Sequence, residues 1–245
     1  MGGNVFQGTS SFDHSMINDM MKQVNSVLSK TGAEALPIGS GATPTPGKVS
    51  GDLDMIVDAN YLAKHFNVKK PIEIKKALQA MYNDAGFDTA ISGQSVHVKT
   101  TVGGQAQQVD IMIVPNAANA AKLHTHSIPQ GSPYKGVHKH IALSWAAKQK
   151  GYSWSPYKGV LDRETKELVA DKPDQIAKVL FGPNAQGSDI GSVEAIAKAQ
   201  PDGGKAMMSA LEQDPNFVDK KVESIELARI KELSGLTLNS VKIIC

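Results

Sequence analysis

Ser50-Gly51-Asp52-Leu53-Asp54-Met55-Ile56-Val57 is the stretch on which the reading of this chain turns. Its second half is apolar and rich in strand formers, and the Ser-Gly before it reads as the entry to a strand. Residues two apart on a strand share a face, so Asp52 and Asp54 point one way and Leu53 the other. Two carboxylates held side by side repel each other, an arrangement that makes sense when a divalent cation lies between them. An Asp-x-Asp alone is common in turns and decides nothing. It gains weight from Asp110, in Gln108-Val109-Asp110-Ile111-Met112-Ile113-Val114, a third acid in an otherwise apolar run. A charge there is costly unless it is paired or metal-bound. If the two strands are neighbours, three carboxylates converge, and two hard cations about 4 Å apart can activate an attacking oxygen and stabilise a leaving phosphate.

Just upstream, Ala35-Leu36-Pro37-Ile38 runs into Gly39-Ser40-Gly41, and a Pro/Gly/Thr loop follows over 42–47. A strand-to-loop junction carrying Gly39 and Ser40 lets backbone N–H groups and a hydroxyl approach phosphate oxygens closely. Lys48, between that loop and the acids, is placed to neutralise a phosphate.

Around this centre the spacing predicts a helix from Met16 to Leu28, with Asp13 as N-cap and Gly32 past its end. Further helices are expected over 61–66 and 72–82, and strands over 95–102 and 107–114 joined by Gly103-Gly104, a good hairpin signal. Beyond Pro115 the pattern turns helical, with a basic segment over 135–150, a hairpin around Asp162, a short helix over 173–180 and a long amphipathic helix over 219–233. The fold class expected is α+β. A mixed-sheet unit with an N-terminal helix occupies 1–115, a mostly helical region 116–190 and a helical extension 191–245.

Charge is distributed unevenly. The formal net charge is only +2, yet the 51 residues between Asp110 and Asp162 contain no Asp or Glu, where the chain's own frequency leads one to expect about five. Lys122, Lys135, Lys139, Lys148, Lys150 and Lys158 lie there, with His124, His126, His138 and His140. So do Tyr134, Trp145, Tyr152, Trp154 and Tyr157, five of the chain's thirteen aromatics. Basic residues interleaved with aromatics suit a surface that meets phosphates and stacks on bases, and Lys135, His138, Lys139 and His140 are the candidate nucleic-acid contacts. His124 and His126 lack a third ligand nearby in sequence, so zinc is disfavoured. The only cysteine is Cys245, which excludes an internal disulfide and a thiolate cluster. No stretch is apolar enough to span a bilayer, and the start carries no secretory pattern, so a cytoplasmic protein without membrane contact is expected.

Taken together, Gly39-Ser40, Ser50-Gly51-Asp52-Leu53-Asp54-Met55-Ile56 and Gln108-Val109-Asp110-Ile111 resemble the nucleotidyltransferase superfamily typified by DNA polymerase beta. The resemblance runs on through Gly131-Ser132, the helix from His138 to Lys150, Gly151-Tyr152-Ser153-Trp154-Ser155 and the segment from Asp174 to Phe181, so it spans roughly residues 35–183. It implies a palm with a mixed sheet followed by a thumb-like region. Asp52, Asp54 and Asp110 would then be the catalytic metal ligands for two Mg²⁺ ions, with Mn²⁺ as a substitute. Asp110 would also help to deprotonate the attacking hydroxyl. Gly39 and Ser40 would hold the β and γ phosphates of a nucleoside triphosphate, and Gly131 and Ser132 would line its sugar or base side. The acceptor implied is the 3′ end of a nucleic acid; a small-molecule or protein acceptor, or a member that only binds nucleic acid, are the alternatives. The chain departs from the polymerases in having no arginine in the loop after Gly39-Ser40, where Lys48 is the stand-in. Ile128-Pro129-Gln130 replaces their aromatic pair before the second Gly-Ser. With 38 residues ahead of Gly39, no counterpart of the lyase and DNA-gripping domains is expected.

Overall fold

Along Asp52–Asp58 the residues Leu53, Met55 and Val57 are buried on one face of the sheet and Ile56 on the other. The computed structural model of the protein describes residues 5–215 and residue 217. It divides the chain into two units, one running to Thr125 and recovering Pro156–Lys158, the other holding His126–Ser155 and the described chain from Gly159 onward.

The first unit contains β1 (Phe12–Asp13), α1 (Ile17–Leu28), β2 (Leu36–Pro37), β3 (Val49–Ser50), β4 (Asp52–Asp58), α2 (Ala59–Phe66) and α3 (Pro71–Asp84). It continues through β5 (Thr89–Ser92), β6 (Ser95–Val102), β7 (Gln105–Val114) and α4 (Ala117–His124). Five strands form a mixed sheet in the order β2-β4-β7-β6-β5. Only the β4–β7 pair is parallel, and the others are antiparallel. Local chemistry sets the ends of these elements. The Asp13 carboxylate accepts from Ser15 N to start the turn into α1, and Asp58 does the same for α2 by accepting from Asn60 N. Gly103 and Gly104 both adopt positive φ, as a two-residue hairpin turn of this twist requires.

Helices α1, α2 and α3 cover one face, where Met20, Val24, Leu28, Leu62, Leu78 and Tyr82 pack against Leu53, Met55, Val57, Val98, Val109 and Ile111. The Tyr82 hydroxyl donates to Val24 O at 3.0 Å, so even this buried phenol is satisfied. On the opposite face α4 contributes Ala117 and Ala120 to a smaller cluster with Ile38, Ile56, Met112 and Val114. The preceding positions of β4 and β7 on that face are polar: Asp52, Asp54, Gln108 and Asp110.

The second unit comprises α5 (Gly136–Gln149), β8 (Tyr152–Ser155), β9 (Gly159–Asp162), β10 (Leu168–Ala170), α6 (Pro173–Phe181), α7 (Val193–Ala199) and α8 (Lys205–Leu211). Its strands form an antiparallel sheet in the order β10-β9-β8. The hairpin expected at Asp162 is present, and its carboxylate accepts from Glu164 N and Thr165 N, each at 2.8 Å. The first unit runs to Thr125, with α4 adding its small apolar face to the sheet. Strand β5 also appears, too short to show an alternation of its own. Helices α7 and α8 belong to the same unit as α5. The helix expected over 219–233 lies outside the described residues. No helix among the described residues is long and apolar enough to cross a membrane.

Candidate active site

Strands β4 and β7 set the three acids on one face of the sheet. In their parallel register Asp54 lies beside Asp110 and Asp52 beside Gln108, so all four side chains leave the sheet on one face. Burial raises the Asp52 pKa, and the Asp110 charge adds to the effect. Asp54 is pushed up to about 7 by the protein crowded around its carboxyl and then by the charges of Asp52 and Asp110. Among the described residues no Lys, Arg or His forms an ion pair with Asp52 or Asp54. Nor are three metal-ligating side chains already gathered around one point. The donors are all carboxylate oxygens, the set that Mg²⁺ and Mn²⁺ prefer, and the mutual repulsion of Asp52 and Asp54 fits a bound cation. Tyr157 lies in the same unit: its hydroxyl donates to Met112 Sδ at 2.8 Å and its ring packs 5.1 Å from that of His124. Burial and then the Asp54 charge raise its pKa.

Asp110 is held in place by partners that the sequence did not single out. His97, its neighbour across β6, lies with Nδ1 2.7 Å from Asp110 Oδ1, and Gln108 Nε2 donates to the same oxygen at 2.7 Å. Ser92 Oγ sits 2.6 Å from His97 Nε2, and Gln108 Oε1 accepts from Val5 N at 3.0 Å. A carboxylate oxygen only accepts, so His97 donates its Nδ1 proton to Asp110. Both anchors meet Oδ1, which leaves Oδ2 for other chemistry. The side chains of His97 and Asp110 are only 6% and 15% exposed, so these bonds face little competition from water. The one sequence signal was a polar pair on alternate positions, His97 and Lys99, facing Asp110 and Gln108 across the hairpin.

The Gly-Ser loop is tied to the acids through the backbone. Ile38 N donates to Asp54 O at 3.0 Å, and the chain then makes a tight turn over Gly39–Ala42. Gly39 takes a left-handed φ of 57°, and a Cβ on Gly41 would lie 2.6 Å from Leu53 Cδ1. Those glycines let the turn press against the strand while Ser40 stays exposed. Ser40 Oγ is 3.2 Å from Ser50 Oγ, which is 2.8 Å from Nε2 of His14. His14 Nδ1 accepts from Thr45 N at 3.1 Å, and His14 N donates to Lys48 O at 2.9 Å. The imidazole is buried, and its pKa is lowered by that burial and by the charge of Lys48, against a smaller opposite effect of Asp13. Lys48 itself is exposed.

In the second unit the expected contacts divide. Gly131 is exposed with a left-handed φ of 79°, in a turn closed by Ser132 N donating to Pro129 O. The Ser132 hydroxyl donates to Glu194 Oε1 at 2.5 Å and accepts from Tyr134 N at 3.1 Å. His138 is not a surface contact: it is buried, its Nδ1 accepts from Lys135 N at 2.6 Å to cap α5, and its ring packs against Phe217. Lys139 is also buried, and the loss of water lowers its pKa to about 8. A hydrated lysine reaching for a backbone phosphate was the expectation. On α5, however, the run 138–139 turns inward with Ala142 and Leu143, leaving Lys135 and His140 partly exposed. The His140 ring stacks on Trp154 with centroids 6.0 Å apart and meets His126 edge-on. His124 falls in the first unit, where its ring packs on Tyr157, and His126 in the second, beside His140.

No family model matches the chain, and no curated protein matches it in sequence. Among solved structures, the chain is similar to Leishmania infantum polymerase beta in a ternary P/T complex, at 16% identity and a TM-score of 0.48 over 74% of this chain and 77% of that one. The same polymerase in a ternary gap complex is similar at 13% identity and a TM-score of 0.51, over 75% of this chain and 71% of that one. At such low identity the second likeness speaks to fold alone, and the mixed sheet with its parallel pair and flanking helices agrees with it. The chain has a fold like that of polymerase beta.

Proposed function

We propose that the protein is a metal-dependent nucleotidyltransferase that moves a nucleoside monophosphate from a nucleoside triphosphate to a hydroxyl and releases pyrophosphate. The observation that carries this reading is the set of three carboxylates on one face of the β4–β7 pair, with the Gly39–Ser40 turn bonded to the backbone of Asp54. Asp52, Asp54 and Asp110 would hold Mg²⁺ or Mn²⁺, which when bound neutralises these acids and withdraws charge from the phosphates. Gly39, Ser40 and Lys48 would hold the β and γ phosphates. Asp110, fixed through Oδ1, offers Oδ2 to take the proton of the attacking hydroxyl. The hydroxyl oxygen bonds to the α-phosphorus as the bond to the α,β-bridging oxygen breaks, and that electron pair leaves with pyrophosphate.

A nucleic-acid 3′ end is the acceptor favoured by the acid-free segment and by the partly exposed Lys135 and His140. A second reading, a small-molecule or protein acceptor, is favoured by the burial of His138 and Lys139 and by the engagement of Ser132 with Glu194. Incubation with each labelled triphosphate and a panel of acceptors separates the two. Asp52→Asn, Asp54→Asn and Asp110→Asn should each lower transfer by at least about 100-fold without unfolding the protein. Full activity in the Asp110 variant would remove its assigned role. Retention of primer that weakens steeply with salt supports the nucleic-acid acceptor, and no retention at low salt supports the second reading.

A further inference from the structure

We infer that His14 is a positioning residue that orients a two-serine relay, so that Ser40 presents its hydroxyl hydrogen to the phosphates of a triphosphate; this rests on the nucleotidyltransferase reading above.

The first link of the relay is fixed by a donor that cannot be reversed. Thr45 N is a backbone N–H and can only donate, so His14 Nδ1, 3.1 Å away, must accept and carries no proton. The remaining imidazole proton is therefore on Nε2, 2.8 Å from Ser50 Oγ, and is donated there. Ser50 then has its own hydrogen to give, and Ser40 Oγ lies 3.2 Å away. Once Ser40 accepts from Ser50, its own O–H is directed at an acceptor outside the chain. Phosphate oxygens, which only accept, complete the series without setting lone pair against lone pair.

The surrounding structure maintains this state. His14 is 2% exposed, and Lys48 stands close enough to disfavour a second charge on the ring, with Asp13 as the weaker opposing group. Strand β1 consists of two residues, Phe12 and Asp13, which pair with Ser50 and Val49 of β3 and so carry the next residue, His14, to Ser50. The same ring holds the loop through Thr45 N, and His14 N is bonded to Lys48 O, so the histidine also fixes the loop from which Lys48 projects. With no arginine in that loop, a neutral hydroxyl given a fixed polarity takes on part of the phosphate recognition.

The test is calorimetric titration of the full chain with a nucleoside α,β-methylene triphosphate and Mg²⁺, with the nucleoside monophosphate as control. Ser40→Ala and Ser50→Ala should each weaken triphosphate binding by about 5- to 20-fold and leave monophosphate binding unchanged. The double variant should bind no more weakly than Ser40→Ala, because the two hydroxyls act in series. Ser50→Thr, which keeps the hydroxyl, should bind like the wild type. The ¹⁵N shifts of His14 should report a bare Nδ1 and a protonated Nε2. Additive losses in the double variant, wild-type binding by Ser50→Ala, or a proton on Nδ1 would each overturn the relay while leaving the functional reading standing. A wild-type chain that binds no triphosphate would overturn the functional reading, and the relay with it.

Discussion

Removing a charge from the carboxylate cluster should stabilise the protein while abolishing its chemistry, and Asp54→Asn is the substitution to test. The Asp54 pKa stands at about 7 against an ordinary value of 3.8. A shift of roughly 3 units corresponds to about 4 kcal/mol of preference for the uncharged form, at 1.36 kcal/mol per unit. Asp54 is exposed as a residue, so water screens much of that, and about 1–2 kcal/mol is the expected penalty. The sign follows from linkage. A carboxyl whose pKa is raised on folding weakens the fold fully above the folded pKa, less as the pH falls from about 7 towards 3.8, and not at all below both values. At pH 8 with a chelator, Asp54→Asn should therefore melt about 2–8 °C higher than the wild type. The gain should disappear near pH 3.5. Added Mg²⁺ should raise the wild-type midpoint and not that of the variant, since only the wild type keeps the full donor set. A variant that melts at or below the wild type in chelator at pH 8 would refute the reasoning. So would a gain that persists unchanged into acid, which would mean that the substitution acts through packing.

His97→Asn should lower kcat by about 10- to 100-fold with little change in KM for the triphosphate, because His97 acts through Asp110 rather than on the nucleotide. A change confined to KM in steady-state kinetics would remove His97 from that role. Lys139→Met should raise the melting temperature at pH 7 and leave primer retention intact. The Lys139 pKa is lowered on folding from 10.5 to about 8, so its penalty is full below about 8 and fades as the pH approaches 10.5. Weaker primer retention would restore Lys139 as a nucleic-acid contact.

The acids were legible because each broke a local rule. Asp52, Asp54 and Asp110 are charges in apolar strand sequence, and such a violation asks for a partner or an ion. Their convergence depended on one further condition, the pairing of β4 with β7, which no spacing within either strand encodes. His97 and His14 were missed for the same reason turned round. Each looks ordinary in its own segment, and becomes notable only when a distant element supplies its partner: Asp110 across the hairpin for His97, Ser50 and Thr45 for His14. Composition concealed the burial of His138 and Lys139. A basic run reads as surface, but helix phase decides which members turn inward, and His138 acts as a cap only once the start of α5 at Gly136 is known.

The lone parallel pair in an otherwise antiparallel sheet also bears on how the protein acquires its site. Asp54 and Asp110 meet only after everything between them, two helices and a hairpin, has been laid down. Local turns can form the β6–β7 hairpin early, whereas β4–β7 pairing must close a long chain segment against the mutual repulsion of its own acids. Assembly of the three-carboxylate face therefore belongs to the late part of folding. A divalent ion would act there as a latch on a nearly finished sheet, making the affinity for that ion a direct gauge of whether the last long-range register has closed.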